Sequence, residues 1–169
     1  IALFNIVFGF LRASHQKREI KTMFGQYVPP AHVEQMLAHP ESVSLEGESR
    51  EMTVLFSDIR SFTSISEGLS AQALKQMLNR FFTPITQVIF DNNGTIDKYV
   101  GDMVMAFWNA PLEDRRHAHN AIVTALAMQK RTDDLKQEFV ASGFPEVNIG
   151  IGINTGMMNV GDMGSEFRR

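Results

Sequence analysis

The chain has 169 residues, 44% of them hydrophobic, with 16 Lys and Arg against 19 Asp and Glu for a formal charge of −3. That length and apolar content suit one domain with a substantial core, and the lack of a basic excess speaks against nonspecific nucleic-acid binding. With no cysteine, disulfides and cysteine-based zinc sites are excluded, which fits a cytoplasmic setting.

Residues 1–11, IALFNIVFGFL, are almost wholly apolar. Eleven residues are too few to span a bilayer, which needs about 20. Arg12, Lys17, Arg18 and Lys21 follow directly, as positive-inside anchoring expects, so the stretch reads as the end of a spanning helix in an inner (plasma) membrane. A partner-binding or dimerising helix is the other reading. Residues 12–48 read as a linker, with Pro30 opening a short helix over Ala31–Leu37. Ala38–Glu51 reads as a surface loop. The remaining residues, 49–169, form the main domain.

Thr53–Asp58, TVLFSD, is a short apolar β-run expected to be buried on both faces, with Asp58 emerging at its end. The turn Ile59-Arg60-Ser61-Phe62-Thr63-Ser64 is rich in hydroxyls and leaves backbone N–H groups to meet an anion. Ser70 reads as the N-cap of a long helix with Leu74, Met77, Leu78, Phe81, Phe82, Ile85, Val88 and Ile89 at helical spacing; Pro84 should disturb it near Arg80. Asp91–Gly94 ends that helix.

The stretch Ile96–Trp108, IDKYVGDMVMAFW, reads as a β-hairpin turning at Gly101-Asp102. Asp102 then stands at an exposed tip. On a regular strand Lys98 points to the same side as Ile96 and Val100; a snorkelling surface lysine would explain it equally well. Two aspartates at neighbouring strand ends suit one or two hard divalent cations, since Mg²⁺ is commonly held by one or two carboxylates plus substrate phosphates. Each alone also suits a turn or cap.

Asp114 is placed to cap a second long helix with an inner face of Ala118, Ile122, Ala125, Leu126 and Met128. His117 and His119, two apart, do not form an i, i+4 metal pair and read as surface residues. Ser142-Gly143 and Pro145 end the helix. Val147–Thr155 reads as a Gly-interrupted strand, and Gly156–Asp162 as a turn with a returning strand. The fold class is therefore α+β, a ferredoxin-like βαββαβ core with an antiparallel sheet and helices on one face.

FSDIRSFTSISE (Phe56–Glu67) with GTIDKYVGDMVMAFW (Gly94–Trp108) resembles the class III nucleotidyl cyclases, the adenylate and guanylate cyclase catalytic domain. The similarity runs from about Phe24 to the end of the chain. The resemblance implies that Asp58 and Asp102 are the catalytic carboxylates binding two Mg²⁺ (or Mn²⁺), with the Ile59 carbonyl as a further ligand. It implies that the amides of Ile59, Arg60, Ser61, Phe62 and Thr63 hold phosphates beside Gly101, and that Lys98 reads the purine. A lysine donates to adenine N1, whereas guanine N1 carries a proton and prefers a carboxylate, so the implied substrate is ATP. It also implies a homodimer with shared sites, and likens residues 18–37 to the transducer element that couples an upstream membrane or sensor domain to a cytoplasmic catalytic domain; an ordinary linker with one docking helix is the other reading.

Family motifs that complete the adenine, ribose and transition-state contacts do not occur before Arg169. Arg168 is a candidate for the terminal phosphates, or a surface arginine. Two alternatives stay open: a guanylate cyclase, against which Lys98 speaks, and a catalytically silent dimerisation or nucleotide-sensing module.

Overall fold

The computed structural model describes Gly25, residues 27–39 and residues 47–161. The expected membrane-spanning end at 1–11, the linker before Gly25 and Arg168 lie outside these residues. Among the described residues no helix is long and apolar enough to cross a membrane.

Pro30 opens helix α1 (Pro30–Ala38), in the first turn where a missing N–H costs nothing. Val28, Val33 and Met36 form a small buried cluster against Leu37 and Leu112. The Tyr27 carbonyl accepts the Ile96 N–H at 2.7 Å, which ties this segment to the central hairpin.

Strand β1 (Glu48–Ile59) is followed by the short helix α2 (Phe62–Glu67) and the long helix α3 (Ala71–Asp91). The hairpin β2 (Thr95–Val100) and β3 (Met103–Trp108) leads to helix α4 (His117–Ala141) and strand β4 (Ile149–Val160). The sheet order is β2-β3-β1-β4, antiparallel throughout. This is the expected βαββαβ arrangement, with the long central strand β1 between the hairpin and β4.

The core lies between the sheet and the two long helices. Leu55 and Ile59 of β1 meet Val104, Ala106 and Trp108 of β3, Met77, Phe81, Ile85 and Ile89 of α3, and Met128, Leu135 and Phe139 of α4. Ser70 caps α3 as expected, its hydroxyl accepting the Ala73 N–H at 3.2 Å, and the helix runs unbroken through Pro84. Trp108 is fully buried and its indole N–H donates to the Asn92 carbonyl at 2.8 Å, so the helix end is fixed to the sheet. Gly94 sits in the tightest of these contacts: a Cβ there would lie 2.5 Å from Ile89 Cγ2 and 2.8 Å from Trp108 Cζ2.

Several sequence expectations are corrected. Gly156 makes no turn: β4 runs straight through it and pairs with β1 from Ile149 opposite Ile59 to Val160 opposite Glu48. Nor does Gly156 adopt the positive φ that the favoured two-residue hairpin turns use, which among the described glycines only Gly101 and Gly143 show. β1 correspondingly begins at Glu48, inside the stretch expected to be loop. Phe56 is 43% exposed, so β1 is not buried on both faces.

The inner face of α4 is Ala121, Thr124, Met128, Thr132, Leu135 and Phe139, whereas Ala118, Ile122 and Leu126 face outward. The apolar pattern misled because the true stripe contains threonines. Their hydroxyls donate to carbonyls four residues back, Thr124 to Asn120 and Thr132 to Met128, which satisfies them inside the core. His117 is not a surface residue. Its Nδ1 is 2.8 Å from the Thr53 hydroxyl, which in turn is 2.7 Å from the Thr155 hydroxyl. Asp114 accepts the Arg116 N–H and the Asn120 side-chain amide, closing the turn just before α4.

Candidate active site

The side of the sheet away from the helices carries the candidate residues. Side chains of paired residues share a face. Leu55 pairs with Ala106 and points into the core, so Phe56, paired with Met105, points outward, and Asp58 follows it on the same face. β4 presents Gly150 opposite Asp58 and Gly152 opposite Phe56, so β4 itself raises no side chain beside either.

Lys98 reaches this face through a β-bulge. Ile96 pairs with Ala106, but Lys98 pairs with Met105, leaving Asp97 as the extra residue. The bulge reverses the alternation: Ile96 stays in the core, Lys98 and Val100 turn to the open face, and Tyr99 turns to the helices. The expectation that Lys98 and Ile96 share a side is therefore corrected. Two consecutive charged residues, Asp97 and Lys98, inside an apolar strand were the available signal of broken alternation. Tyr99 packs on Phe82 with ring centroids 4.8 Å apart and is 2.6 Å from the Thr86 hydroxyl. The groove of about 530 Å³ that these residues line with Asn79, Thr83, Gln87 and Phe90 is thus on the helix side, away from Asp58 and Lys98.

Lys98 is well exposed, with its Nζ 3.2 Å from Asp97 Oδ2. Both Lys98 and Phe56 pair with Met105. Two strand spacings and two residue rises then put Lys98 and Asp58 about 12 Å apart at Cα, on one face but not in contact.

The hairpin tip places the second carboxylate. Gly101 has φ +62° with nothing within 4 Å of a would-be Cβ, so this glycine is required by backbone conformation and not by space. The turn lets Asp102 fold back: its Oδ2 accepts the Ile59 N–H at 2.9 Å. Asp102 is thereby fixed to the residue that follows Asp58, and the two carboxylates sit at adjoining ends of β1 and the hairpin. Two carboxylates and a main-chain carbonyl are hard oxygen donors suited to Mg²⁺ or Mn²⁺. Among the described residues no cluster of three or more His, Cys, Asp or Glu forms a closed protein cage. The donor set thus fits a cation whose shell is completed by phosphate oxygens and water.

The turn after Asp58 is helical. Ser61 takes a left-handed φ of 57° and Phe62 begins α2. The Ile59 amide is committed to Asp102, and the Arg60 amide donates to the Asn148 carbonyl at 2.8 Å. Of the five amides named from sequence as phosphate donors, Ser61, Phe62 and Thr63 at the head of α2 are those outside these two bonds. The Arg60 side chain instead lies over Gly150 near Asp58.

Residues 46–169 match the family model for the adenylate and guanylate cyclase catalytic domain. The chain is 36% identical over 156 residues to adenylate cyclase 1 of Rhizobium meliloti, covering 92% of this chain and 24% of that protein. Among solved structures it is similar to the adenylyl cyclase CyaB of P. aeruginosa, at 39% identity and a TM-score of 0.71, over 73% of this chain and 65% of that one. It is equally similar to the guanylyl cyclase Cya2, at 38% identity and a TM-score of 0.70, over 72% of this chain and 62% of that one. The chain thus spans about a quarter of the length of the curated relatives it matches first.

Proposed function

Because the chain belongs to the adenylate and guanylate cyclase catalytic-domain family, we propose that it is the catalytic domain of an adenylate cyclase, converting ATP to 3′,5′-cyclic AMP and pyrophosphate. The observation that carries this reading is Asp58 on the same open face as Lys98, with Asp102 at the hairpin tip bonded to the next residue, Ile59. Overall likeness does not choose the base, since adenylyl and guanylyl cyclases match equally well. The lysine does, because its ammonium donates to the unprotonated N1 of adenine and has nothing to accept from the N1–H of guanine.

The reaction is in-line displacement at the α-phosphorus by the ribose 3′-hydroxyl. Asp58, Asp102 and the Ile59 carbonyl would hold two divalent cations, whose chemistry is to make that hydroxyl nucleophilic and to neutralise the leaving pyrophosphate. The amides of Ser61, Phe62 and Thr63 donate to polyphosphate oxygens. Gly101, in its left-handed conformation, makes the turn that brings Asp102 back to Ile59. Arg168 is assigned to the terminal phosphates. The residues act by holding groups in place and balancing charge.

The site is shared between two protomers, one giving the aspartates and the other Lys98. Exposed Phe56 and Val100 on the open face, at 43% and 53%, support burial of that face in a homodimer. An equal mixture of Asp58→Ala and Lys98→Ala proteins tests this: mixed dimers regain one intact site and part of the lost activity. No recovery on mixing means each protomer builds its own site. The apolar run 1–11 and the basic residues after it support placement at the inner membrane, with the domain on the cytoplasmic side and a sensor upstream.

A further inference from the structure

Gly150 is paired with Asp58 on the open face of the sheet. A Cβ built on it would lie 2.9 Å from Asp58 Oδ1, 2.9 Å from Arg60 Nε and 3.0 Å from Arg60 Cζ. Both side chains are therefore laid across the bare backbone of β4. The backbone itself does not ask for glycine here, because Gly150 is not among the described residues with positive φ. Gly152, two residues on and on the same face, has nothing within 4 Å of a would-be Cβ. The two glycines look alike in GIGINTG, yet only the first lies beneath a functional group.

We propose that Gly150 is a positioning residue for Asp58. Its missing side chain is the floor on which the Asp58 carboxylate and the Arg60 guanidinium rest side by side. Arg60 is held to this place from below as well, since its amide donates to Asn148, two residues before Gly150. The guanidinium fills the floor on one side of the carboxylate. Asp102, bonded to the Ile59 amide, stands on the β3 side of the same strand end. Asp58 thus has a charged neighbour on the β4 side and its companion carboxylate towards the hairpin. An added methyl at residue 150 meets only the ends of two side chains, which give way before the paired backbone does. The side chains above must lift instead, Asp58 by about 0.5 Å to regain ordinary carbon contact. That exceeds the latitude of about 0.2 Å in the ligand distances of an octahedral site at about 2.0–2.1 Å.

This inference rests on the proposed metal-binding role of Asp58, so its test has one arm with metal and one without. Mn²⁺ binding is titrated by electron paramagnetic resonance for the full chain and for Gly150→Ala, Gly152→Ala and Asp58→Asn. Gly150→Ala is expected to weaken Mn²⁺ binding about tenfold, the low end of the cost of disturbing groups that orient metal ligands. Gly152→Ala stays within about twofold and both keep the wild-type melting temperature. In the second arm, metal-free crystal structures of wild type and Gly150→Ala are compared, and the Asp58 carboxylate is displaced in the variant by about 0.5 Å or more. Wild-type affinity in Gly150→Ala, or an unmoved carboxylate, overturns the positioning role. Should wild type bind no Mn²⁺, the metal reading of Asp58 fails, while the crystallographic arm still decides whether Gly150 sets the carboxylate's place.

Discussion

Asp102 has two separable duties, and a pair of substitutions distinguishes them. Its Oδ2 accepts the Ile59 N–H at 2.9 Å and pins the hairpin tip to the end of β1; its charge is available to a cation. Asp102→Ala removes both. A hydrogen bond to a charged acceptor is worth about 1.5–3 kcal/mol, and partial solvent access at the tip reduces this to about 1–2 kcal/mol. For a domain of this size each kcal/mol shifts the melting temperature by about 2–4 °C, so the variant melts roughly 2–8 °C lower. Asp102→Asn keeps a side-chain oxygen to accept the Ile59 N–H and gives up the charge. It is expected to melt within about 2 °C of wild type, while losing the stabilisation that saturating Mn²⁺ gives the wild-type chain. Thermal melts of the three proteins with and without Mn²⁺ decide. Equal destabilisation by Asn and Ala, or full Mn²⁺ stabilisation of either, refutes the division of labour.

Gly94→Ala forces a methyl against Ile89 and Trp108 and is expected to cost about 1–3 kcal/mol of unfolding free energy in urea; a neutral result would mean that the helix end and Trp108 move freely. Thr53→Val breaks the link between His117 and Thr155, leaving their polar atoms short of a partner, at a cost of about 1–3 kcal/mol by the same assay. His32 on α1 is held below the usual histidine value of 6.5, chiefly by burial, against the raising effects of the Asn93 hydrogen bond and the Asp114 charge. A histidine lowered on folding contributes stability that is full above 6.5 and lost as pH falls from there through its lowered value. Wild type should therefore lose stability more steeply than His32→Gln between about pH 7.5 and 5.5; parallel curves would contradict this.

What the sequence made legible was whatever local chemistry alone decides. Pro30, Ser70 and Gly101 act through their own backbone or first hydrogen bond, and their elements begin or turn where the residues said. The order of the strands and long helices up to β4 followed from period and punctuation, but the short helix α2 and the single unbroken β4 did not. What was hidden depended on partners distant in sequence. The length of β4 is set by β1, a strand about a hundred residues away that offers a partner to every residue from Ile149 to Val160. The bulge at Asp97, hinted at by two consecutive charges, is located only when β2 is laid against β3, and it turns Lys98 to the face that carries Asp58. The buried threonines of α4 look polar until their bonds to preceding carbonyls are seen. At the site, Asp58 and Asp102 could be named from the sequence. The bond from the Ile59 amide, which holds them together and removes that amide from the phosphate donors, could not.

The measurement that bears most directly on the proposal is cyclic nucleotide formation by the complete product of the gene, with ATP and GTP each supplied with Mg²⁺ or Mn²⁺. Metal-dependent cyclic AMP from ATP, with little product from GTP and a preference weakened or inverted by Lys98→Glu, is the predicted result. Preference for GTP in the wild-type protein would contradict the assignment of Lys98. A folded dimer that binds nucleotide and releases no cyclic product would contradict the catalytic reading and make the domain a silent nucleotide-sensing module.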